Sequence, residues 1–258
     1  MNTKAIIIAA GKGSRLGHLT KDLPKCLAIR FEGRSLLEVQ IERLRSCGIS
    51  EVVIVRGYCG DKFKIPGVHY IWNHDYERNN ILESLMCAES GMFGDVLISY
   101  SDIWYEERIP KKLLNAQGDI TLATDRDWEK NYEGRSQNPV SSSETVVVDE
   151  NYRVLKLGRI GHKVPAIHGE FIGMMKMTDR GCSFFKEHYH RSKNNHSGKK
   201  FHHAEVFEKA YLSDLLQEMI DQGVRVEADM IDAEWKEIDT LEDYDNFKKY
   251  LATKKVSR

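Results

Sequence analysis

The residues with the clearest chemical potential lie near the start of the chain. An apolar run, Ala5–Ala10, is followed by the sequence GKGSR at positions 11–15. Glycines at such a turn allow several backbone N–H groups to point at one anion, so the segment predicts a phosphate-binding loop. Arg15 and then Lys25 add two separately delivered cations. Since holding a nucleotide needs neither of them, the combination predicts a site that transfers a nucleotide.

Two common glycine-rich loops do not match this segment in register. A Walker A loop needs a glycine and a hydroxyl residue at the positions where this chain has Ile6 and Gly13. A dinucleotide-binding loop needs its third glycine one residue before Gly17. The register therefore weakens both a P-loop NTPase and a nicotinamide-dependent oxidoreductase.

The elements around the loop alternate between strand and helix patterns through the first half of the chain. Strands are predicted at Ala5–Ala10, Glu51–Arg56, Val68–Trp72, Val96–Tyr100 and Ile120–Thr124. Ser35 is suited to cap a helix that ends at Gly48, and Asn79 or Asn80 is suited to cap another. This rhythm predicts an α/β fold with a doubly wound, mostly parallel sheet that binds ligands at its carboxyl edge.

The pattern changes after Asp125. Further strands are predicted at Thr145–Asp149, Arg153–Leu157, Glu170–Met177, Val224–Ala228 and Trp235–Ile238. Helices are predicted at Gly181–Arg191, at Val206–Gln222 and from Thr240, and exposed loops at Asn131–Ser143 and Ser192–Lys200. We therefore expect one domain, with a nucleotide-binding core (1–125), a small antiparallel acceptor-binding insertion with helices (126–232), and a closing strand and helix (233–258).

Composition and charge exclude several classes of protein. Of the 258 residues, 41% are hydrophobic and 30% are charged, and the formal net charge is -1. Binding to nucleic acid or to a membrane by bulk electrostatics is therefore not expected. No apolar run approaches the roughly 18 residues of a membrane span, and the first strand begins too early for a signal peptide. The five scattered cysteines predict reduced thiols and a cytoplasmic protein.

The longer N-terminal pattern is more specific than the glycine turn. The string Arg-Leu-x-x-Leu-Thr-x-x-x-Pro-Lys is matched by Arg15, Leu16, Leu19, Thr20, Pro24 and Lys25. It resembles the signature of the nucleotidyltransferase family that makes activated sugars and alcohols. The resemblance implies a Rossmann-like fold in which Arg15 binds the triphosphate and Lys25 neutralises charge at the α-phosphorus. The other positions expected to bind the nucleotide are Ala9, Ala10, Gly11, Lys12, Gly13 and Ser14.

The same resemblance implies a Mg²⁺ ion held by two aspartates. One is Asp102, after the strand that ends at Tyr100, and the other is Asp239, after a later strand. Carboxylate oxygens are the hard ligands that Mg²⁺ prefers. Many relatives carry Asp-x-Asp at the first site, whereas Trp104 stands at the second of those positions here. Asp102 is therefore expected to serve alone there or with water.

Further segments resemble one branch of this family. Asn73–Tyr76 and Asn79–Leu85 are similar to an element of the bacterial (LicC-like) choline-phosphate cytidylyltransferases, and Gly169–Gly173 and Trp235–Tyr244 are similar to that group and its phosphonate-activating relatives. The resemblance implies transfer of CMP from CTP to a phosphate or phosphonate acceptor, such as phosphocholine, 2-aminoethylphosphonate or phosphonoformate, with release of pyrophosphate. The base-binding side would include Gly57, Asn80 and Ser84.

The acceptor pocket is expected between the sheet and the insertion, and three acceptor chemistries stay open. A trimethylammonium group favours an aromatic box, for which the candidates are Trp104, Trp128, Tyr132 and Trp235. An amine favours a carboxylate, for which the candidates are Asp125 and Glu170. A carboxylated phosphonate favours a cation, for which the candidates are Arg126, Lys156, Arg159 and Lys163.

Two other functions remain as alternatives. A sugar-1-phosphate nucleotidyltransferase would use UTP, dTTP or GTP, and a non-catalytic nucleotide-binding regulator would bind CTP without releasing pyrophosphate. The intact set of Lys25, Asp102 and Asp239 favours an enzyme over a regulator. The oligomeric state is open, and a homodimer is compatible with the sequence.

Overall fold

The computed structural model describes residues 3–160 and 168–256 and confirms an α/β fold. Its strands are β1 (Lys4–Ala9), β2 (Arg30–Phe31), β3 (Arg34–Ser35), β4 (Val52–Arg56), β5 (His69–Trp72), β6 (Val96–Tyr100), β7 (Ile103–Tyr105), β8 (Ile120–Asp125), β9 (Thr145–Val148), β10 (Val154–Gly158), β11 (Gly169–Met177), β12 (Glu227–Ile231) and β13 (Trp235–Glu237). Its α-helices are α1 (Lys25–Ala28), α2 (Leu36–Ser46), α3 (Ile81–Met86), α4 (Arg108–Leu114), α5 (Asp179–His196), α6 (Leu212–Asp221) and α7 (Leu241–Val256). None of the helices in these two ranges is long and apolar enough to span a membrane.

Nine strands of the described residues form one central sheet. In its nucleotide-binding half, β6, β1, β4 and β5 are parallel neighbours in that order. Strand β11 joins this half to the rest, because it pairs antiparallel with β6, β8 and β9. Strand β12 then pairs parallel with β8, and β10 pairs antiparallel with β9. The carboxyl ends of β1 and β6 consequently open on the same edge of the sheet.

Burial on both faces explains the apolar runs of the parallel strands. On β1, Ile6 and Ile8 pack into a core with α3, α5 and α6, while Ala5, Ile7 and Ala9 pack into a core with α2 and α4. Burial of each large aliphatic side chain contributes roughly 1.5–3 kcal/mol. Strand β1 is therefore fixed firmly in the middle of the sheet, and the loop that follows it has a rigid base.

A third, smaller core ties the two ends of the chain together. Leu16, from the N-terminal motif, packs with Trp104 of β7, Ile238 and Phe247 of α7. The Phe247 ring lies 5.6 Å from the Trp104 ring, centroid to centroid. This apolar contact holds the N-terminal motif beside the segment that precedes α7.

The strands predicted as an antiparallel insertion join the central sheet. Strands β9, β10 and β11 extend it. All nine residues of β11 are buried, because its side chains pack into both cores, Phe171 and Met175 into one and Ile172 and Met174 into the other. The hairpin β2–β3, strand β7 and helix α4 escaped prediction, since elements this short carry little periodicity.

Both predicted exposed loops were wrong in part. Helix α5 continues to His196, so Ser192–His196 is helical. Within the 131–143 segment, Asn138 is only 2% exposed, and its Nδ2 donates to Glu237 Oε2 (3.0 Å). The strand predicted from Val224 begins at Glu227. The two loops were predicted from their polar composition, which does not show that tertiary contacts satisfy some of those polar side chains.

Candidate active site

A cleft of about 420 Å³ opens at the carboxyl ends of β1 and β6, where open α/β sheets bind ligands. All but one of the predicted nucleotide and metal residues line it, namely Ala9, Ala10, Gly11, Lys12, Gly13, Ser14, Arg15, Lys25, Asn80, Ser84, Asp102 and Asp239. It is also lined by Tyr76, Asn79, Tyr100, Asn138, Ser142, Glu144, Arg159, Tyr211 and Glu237. The fold thus gathers distant segments around one space.

The glycine loop lies directly against Lys25. Gly13 has a φ of 60°, and a Cβ at this position would lie 2.8 Å from Lys25 Cβ. Glycine suits both the left-handed conformation and this close approach. Thr20 Oγ1 donates to the carbonyl oxygen of Gly13 (2.9 Å), which fastens the 3₁₀ helix Ser14–Thr20 to the loop. The loop and the lysine are therefore held as one unit.

Four charged side chains, which we call the charged cluster, meet in the cleft. Lys25 Nζ lies 2.8 Å from Asp102 Oδ2 and 2.5 Å from Asp239 Oδ1. Arg15 Nη2 lies 2.6 Å from Asp239 Oδ2. The side chains of Lys25 and Asp239 are 12% and 8% exposed, whereas that of Arg15 is 57% exposed. The cations come from the N-terminal motif, and the carboxylates come from two distant parts of the chain.

The ladder between β7 and β13, together with the start of α7, positions the two aspartates. The Ile238 N–H donates to the carbonyl oxygen of Asp102 (3.0 Å). Helix α7 is capped by Thr240 and Asp243: the Thr240 N–H donates to Asp243 Oδ2 (2.9 Å), and the Asp243 N–H donates to Thr240 Oγ1 (3.1 Å). Because these two residues cap the helix, the carboxylate of Asp239 is left for the charged cluster.

The ionisation of the charged cluster follows from burial and pairing. Burial alone would lower the pKa of Lys25, but Asp102 and Asp239 outweigh it and raise that pKa above its ordinary value. Burial opposes ionisation of Asp239, yet Lys25 and Arg15 hold its pKa below the usual range. Burial and the nearby aspartates raise the pKa of Glu237 to about 8. At neutral pH, Lys25 is therefore protonated and Asp239 is ionised.

Asp102 and Asp239 form a pair of oxygen donors that suits a hard divalent cation. Asp102 Oδ1 is buried and has no hydrogen-bond partner among the described residues, a condition that a cation would relieve. In the same part of the chain, no group of three or more His, Cys, Asp or Glu side chains could hold a metal by itself. Mg²⁺ commonly takes one or two carboxylates together with substrate phosphates and water. The pair fits that pattern.

One wall of the cleft is organised by Asn73, which is only 1% exposed. Its Nδ2 donates to Asn79 Oδ1 (2.8 Å) and to Ser84 Oγ (2.9 Å), and Ser84 Oγ donates to the carbonyl oxygen of Asn80 (3.0 Å). The Asn80 side chain donates to the carbonyl oxygen of Lys209 (3.0 Å) instead of capping α3. These bonds fix the start of α3 at the cleft.

Three predicted acceptor residues lie outside the cleft. Asp125 is fully buried, and its Oδ2 accepts from Trp235 Nε1 (2.7 Å), so its carboxylate stabilises the fold. Lys156 is exposed on β10. Trp128 is buried and packs against Tyr132, with 5.9 Å between ring centroids.

Other candidates also occupy different places. Gly57 does not line the cleft; a Cβ there would lie 2.8 Å from Tyr76 Cβ, so this glycine backs a residue that does. Trp104 packs in the third core and cannot join an aromatic box. Arg126 pairs with Asp232 at the surface. Lys163 lies outside the described residues.

Of the remaining candidates, Arg159 lines the cleft itself, and Tyr132, Glu170 and Trp235 line a small cavity that continues from it. We call this cavity the acidic chamber, and its side chains include the carboxylates of Glu144, Glu170 and Glu237 and the rings of Tyr100, Tyr132 and Trp235. The sequence did not single out Glu144 or Tyr100. Glu144 follows three serines in a polar segment, and its only local signal is a carboxylate directly before an apolar strand.

The chain matches the MobA-like NTP transferase domain over residues 5–228. It is 31% identical over 252 residues to a CTP:phosphoglutamine cytidylyltransferase of Campylobacter jejuni. The aligned residues cover 93% of this chain and 96% of that protein. It is 35% identical over 91 residues to a 2-aminoethylphosphonate cytidylyltransferase of Lancefieldella rimae, which covers 33% of this chain and 37% of that protein.

Among solved structures, the CTP:phosphocholine cytidylyltransferase of Streptococcus pneumoniae superposes with a TM-score of 0.77 at 21% identity, covering 97% of this chain and 100% of that one. This likeness shows the fold. Nucleotidyltransferases of the family generally use a divalent metal, in agreement with the paired aspartates. The resemblance predicted from the N-terminal motif is confirmed, and a nicotinamide-dependent oxidoreductase is set aside. The chain belongs to the MobA-like NTP transferase family and is a nucleotidyltransferase.

Proposed function

We propose that this nucleotidyltransferase is a cytidylyltransferase that uses CTP and Mg²⁺ to transfer CMP to the phosphate or phosphonate of a small acceptor, with release of pyrophosphate. The observation that carries the proposal is the charged cluster, in which Lys25 lies 2.8 Å from Asp102 and 2.5 Å from Asp239. It joins a cation for a reacting phosphate to two carboxylates for a metal. The two similar proteins described above are both cytidylyltransferases, which supports CTP as the nucleotide.

In the proposed reaction, an oxygen of the acceptor phosphate or phosphonate forms a bond to the α-phosphorus of CTP. The bond between that phosphorus and the oxygen bridging to the β-phosphorus breaks, and pyrophosphate leaves with the electron pair. The attacking oxygen is already ionised near neutral pH, so no general base is needed. Catalysis then rests on positioning and on neutralising charge.

The residues of the cleft suit these tasks. Lys25, buried and protonated, would neutralise charge on the α-phosphate, and the backbone N–H groups of the glycine loop would bind the outer phosphates. Arg15 is exposed enough to turn from Asp239 to the triphosphate. Asp102 and Asp239 would hold Mg²⁺, which when bound supplies further neutralisation of phosphate charge.

Pyrophosphate release in a matrix of nucleotides and acceptors tests the proposal. CTP, UTP, GTP and dTTP would each be combined with phosphoglutamine, phosphocholine, 2-aminoethylphosphonate, phosphonoformate and glucose-1-phosphate. We expect release with CTP and an acceptor other than the sugar phosphate. Release confined to glucose-1-phosphate with another nucleotide would favour a sugar-1-phosphate nucleotidyltransferase. CTP binding without release under any condition would favour a regulator.

Cellular location and assembly stay predictions. All five cysteines are free thiols, which supports a reducing compartment such as the cytoplasm. Light scattering on the purified protein would show whether it forms the homodimer with which the sequence is compatible.

A further inference from the structure

The acidic chamber is a side pocket of the cleft with its own chemistry. Its volume is about 40 Å³, and Tyr100, Ser142, Glu144 and Glu237 line both spaces, so the chamber opens directly from the cleft. A group entering it would therefore belong to a molecule whose other end lies in the cleft. In the proposed reaction that molecule is the acceptor.

The carboxyl groups of the chamber outnumber the cations near them, and burial raises the pKa of Glu144 to about 7 and that of Glu170 well above its ordinary value. Glu237 lies 3.4 Å from Arg135. Glu144 accepts hydrogen bonds from Ser213 and, at 3.4 Å, from the Tyr100 hydroxyl, which are both neutral donors. No lysine or arginine is among the described residues that line the chamber. Burial holds these groups against ionisation, and a positively charged ligand would supply the charge that favours their ionised forms.

Glu170 provides the most specific sign. The residue is only 4% exposed, and its Oε1 accepts from the Tyr132 hydroxyl (2.5 Å). Its Oε2 is buried and has no hydrogen-bond partner among the described residues. An unsatisfied buried oxygen destabilises the fold. A donor brought in by the ligand would remove that destabilisation.

Aromatic rings complete the chamber. The rings of Tyr100, Tyr132 and Trp235 line it, and aromatic faces attract cations. Gly173, on β11, has a φ of 78°, and a Cβ at this position would lie 2.3 Å from the Tyr100 ring. The absence of a side chain at Gly173 therefore lets the Tyr100 ring pack where it forms the chamber wall.

We propose that the acidic chamber binds a primary ammonium group of the acceptor, with Glu170 as the residue that recognises it. This inference rests on the proposed function, because it assigns the end of the acceptor away from the reacting phosphate or phosphonate. A primary ammonium carries up to three N–H donors and can satisfy Glu170 Oε2. A trimethylammonium group has no N–H to donate. The chamber also has room for only about three water-sized groups.

Matched substrates test the assignment. 2-Aminoethylphosphonate and propylphosphonate differ in having an ammonium or a methyl group at the same place, and phosphocholine carries the charge without an N–H. We expect kcat/KM of the wild-type enzyme with CTP to be at least about 100-fold higher for the amine than for propylphosphonate. Glu170→Gln should reduce this preference to below about tenfold and leave KM for CTP unchanged, because it removes the charge and keeps the shape.

Controls separate recognition from folding. Glu129→Gln makes the same chemical change on the exposed segment before Tyr132 and should leave the preference intact. If thermal unfolding shows that Glu170→Gln does not fold, Glu144→Gln carries the test with a smaller expected loss of preference. A wild-type enzyme indifferent to the ammonium group would overturn the assignment, and so would a folded Glu170→Gln variant that keeps the full preference.

Failure of the proposed function can be told apart from failure of this inference. Calorimetric binding of 2-aminoethylphosphonate and of propylphosphonate, each with a CTP analogue bearing a methylene bridge between the α- and β-phosphorus atoms, needs no turnover. Tighter binding of the amine that Glu170→Gln abolishes would support the chamber even if no acceptor reacts. CTP turnover with phosphocholine or glucose-1-phosphate and no preference for amines would keep the cytidylyltransferase and overturn the ammonium site.

Discussion

The two ends of the cleft treat charge in opposite ways. In the charged cluster, each carboxylate has a cation at hydrogen-bond distance: Lys25 serves Asp102, and Lys25 and Arg15 serve Asp239. In the acidic chamber, Glu170 has one neutral donor and an unsatisfied oxygen. The first end is balanced within the protein before any ligand arrives. At the second end, burial raises the pKa of Glu170, and its ionised form has no cation at hydrogen-bond distance among the described residues.

This difference indicates how the two substrates would be received. A triphosphate brings negative charge to a cluster whose cations are engaged with carboxylates, so it needs the metal to take over those carboxylates. The acceptor would bring an ammonium to a chamber in which, among the described residues, only Glu237 has an ion-pair partner, Arg135. We therefore expect damage to the charged cluster to reduce turnover with every acceptor, and damage to the chamber to depend on which acceptor is used.

The largest effect is expected from Lys25→Ala. Removing this cation should lower kcat by about 10³-fold with every acceptor, since groups that stabilise developing charge in a water-poor site contribute that much. The change also leaves the half-buried Asp102 and the buried Asp239 without their shared cation, so Tm should fall. Steady-state pyrophosphate release, measured well below the Tm of the variant, gives its kcat. Lys21→Ala, an exposed lysine in the same motif, is the matched control, and activity of Lys25→Ala within tenfold of wild type would contradict the role of the cluster.

A smaller loss is expected from Asp102→Asn. This change keeps the size of the side chain and removes the charge of one proposed metal ligand, so kcat at fixed Mg²⁺ should fall by about 10²-fold. The Mg²⁺ concentration for half-maximal rate should rise as well. A titration with Mg²⁺, and calorimetric binding of Mn²⁺ in the presence of CTP, measure the effect. The control is Asp61→Asn, a carboxylate with a 70% exposed side chain. An unchanged metal titration would exclude Asp102 as a ligand.

A smaller effect is expected from Gly173→Ala, in the wall of the acidic chamber. In Gly173→Ala the new Cβ would meet the Tyr100 ring at 2.3 Å, so the ring must move and KM for the acceptor should rise by about tenfold while KM for CTP stays the same. Gly33→Ala is a close control, because Gly33 has the same φ of 78° with nothing within 4 Å of the new atom. Equal effects of both variants on the acceptor KM would mean that backbone strain, and not the wall, is responsible.

The same contrast explains what the sequence could reveal. Lys25 and Arg15 lie in one short motif whose spacing is readable, and Asp102 and Asp239 directly follow strand patterns. The chamber is assembled from side chains on β6, β11, β13 and two irregular segments, and no local pattern connects them. Asp125 illustrates the problem: a carboxylate at the end of a strand suggested an acceptor site, but its oxygen accepts from the Trp235 indole. Side-chain pairing of this kind depends on tertiary contacts that periodicity does not encode.

The smallest effect is a stability change in Glu144→Gln that depends on pH. Burial raises the pKa of Glu144 from 4.5 to about 7, while Ser213, Tyr100 and Arg159 favour the ionised form and Asp214 opposes it. In the unfolded chain the pKa is ordinary, so the folded state binds more protons between these values and wild-type stability falls as pH rises from about 4.5 to 7.

Glutamine does not titrate, so the free energy of unfolding of Glu144→Gln should rise relative to that of the wild type as the pH increases from about 4.5 to 7. The difference in the free energy of unfolding should be near its lowest at pH 5 and reach about 1–3 kcal/mol at pH 8. Urea denaturation at both pH values measures it, with Glu129→Gln, at an exposed position, as the reference for the substitution itself. A gain that is the same at pH 5 and at pH 8 would mean that Glu144 is not held against its own ionisation. The chamber would then lack part of the suppressed ionisation that distinguishes it from the charged cluster.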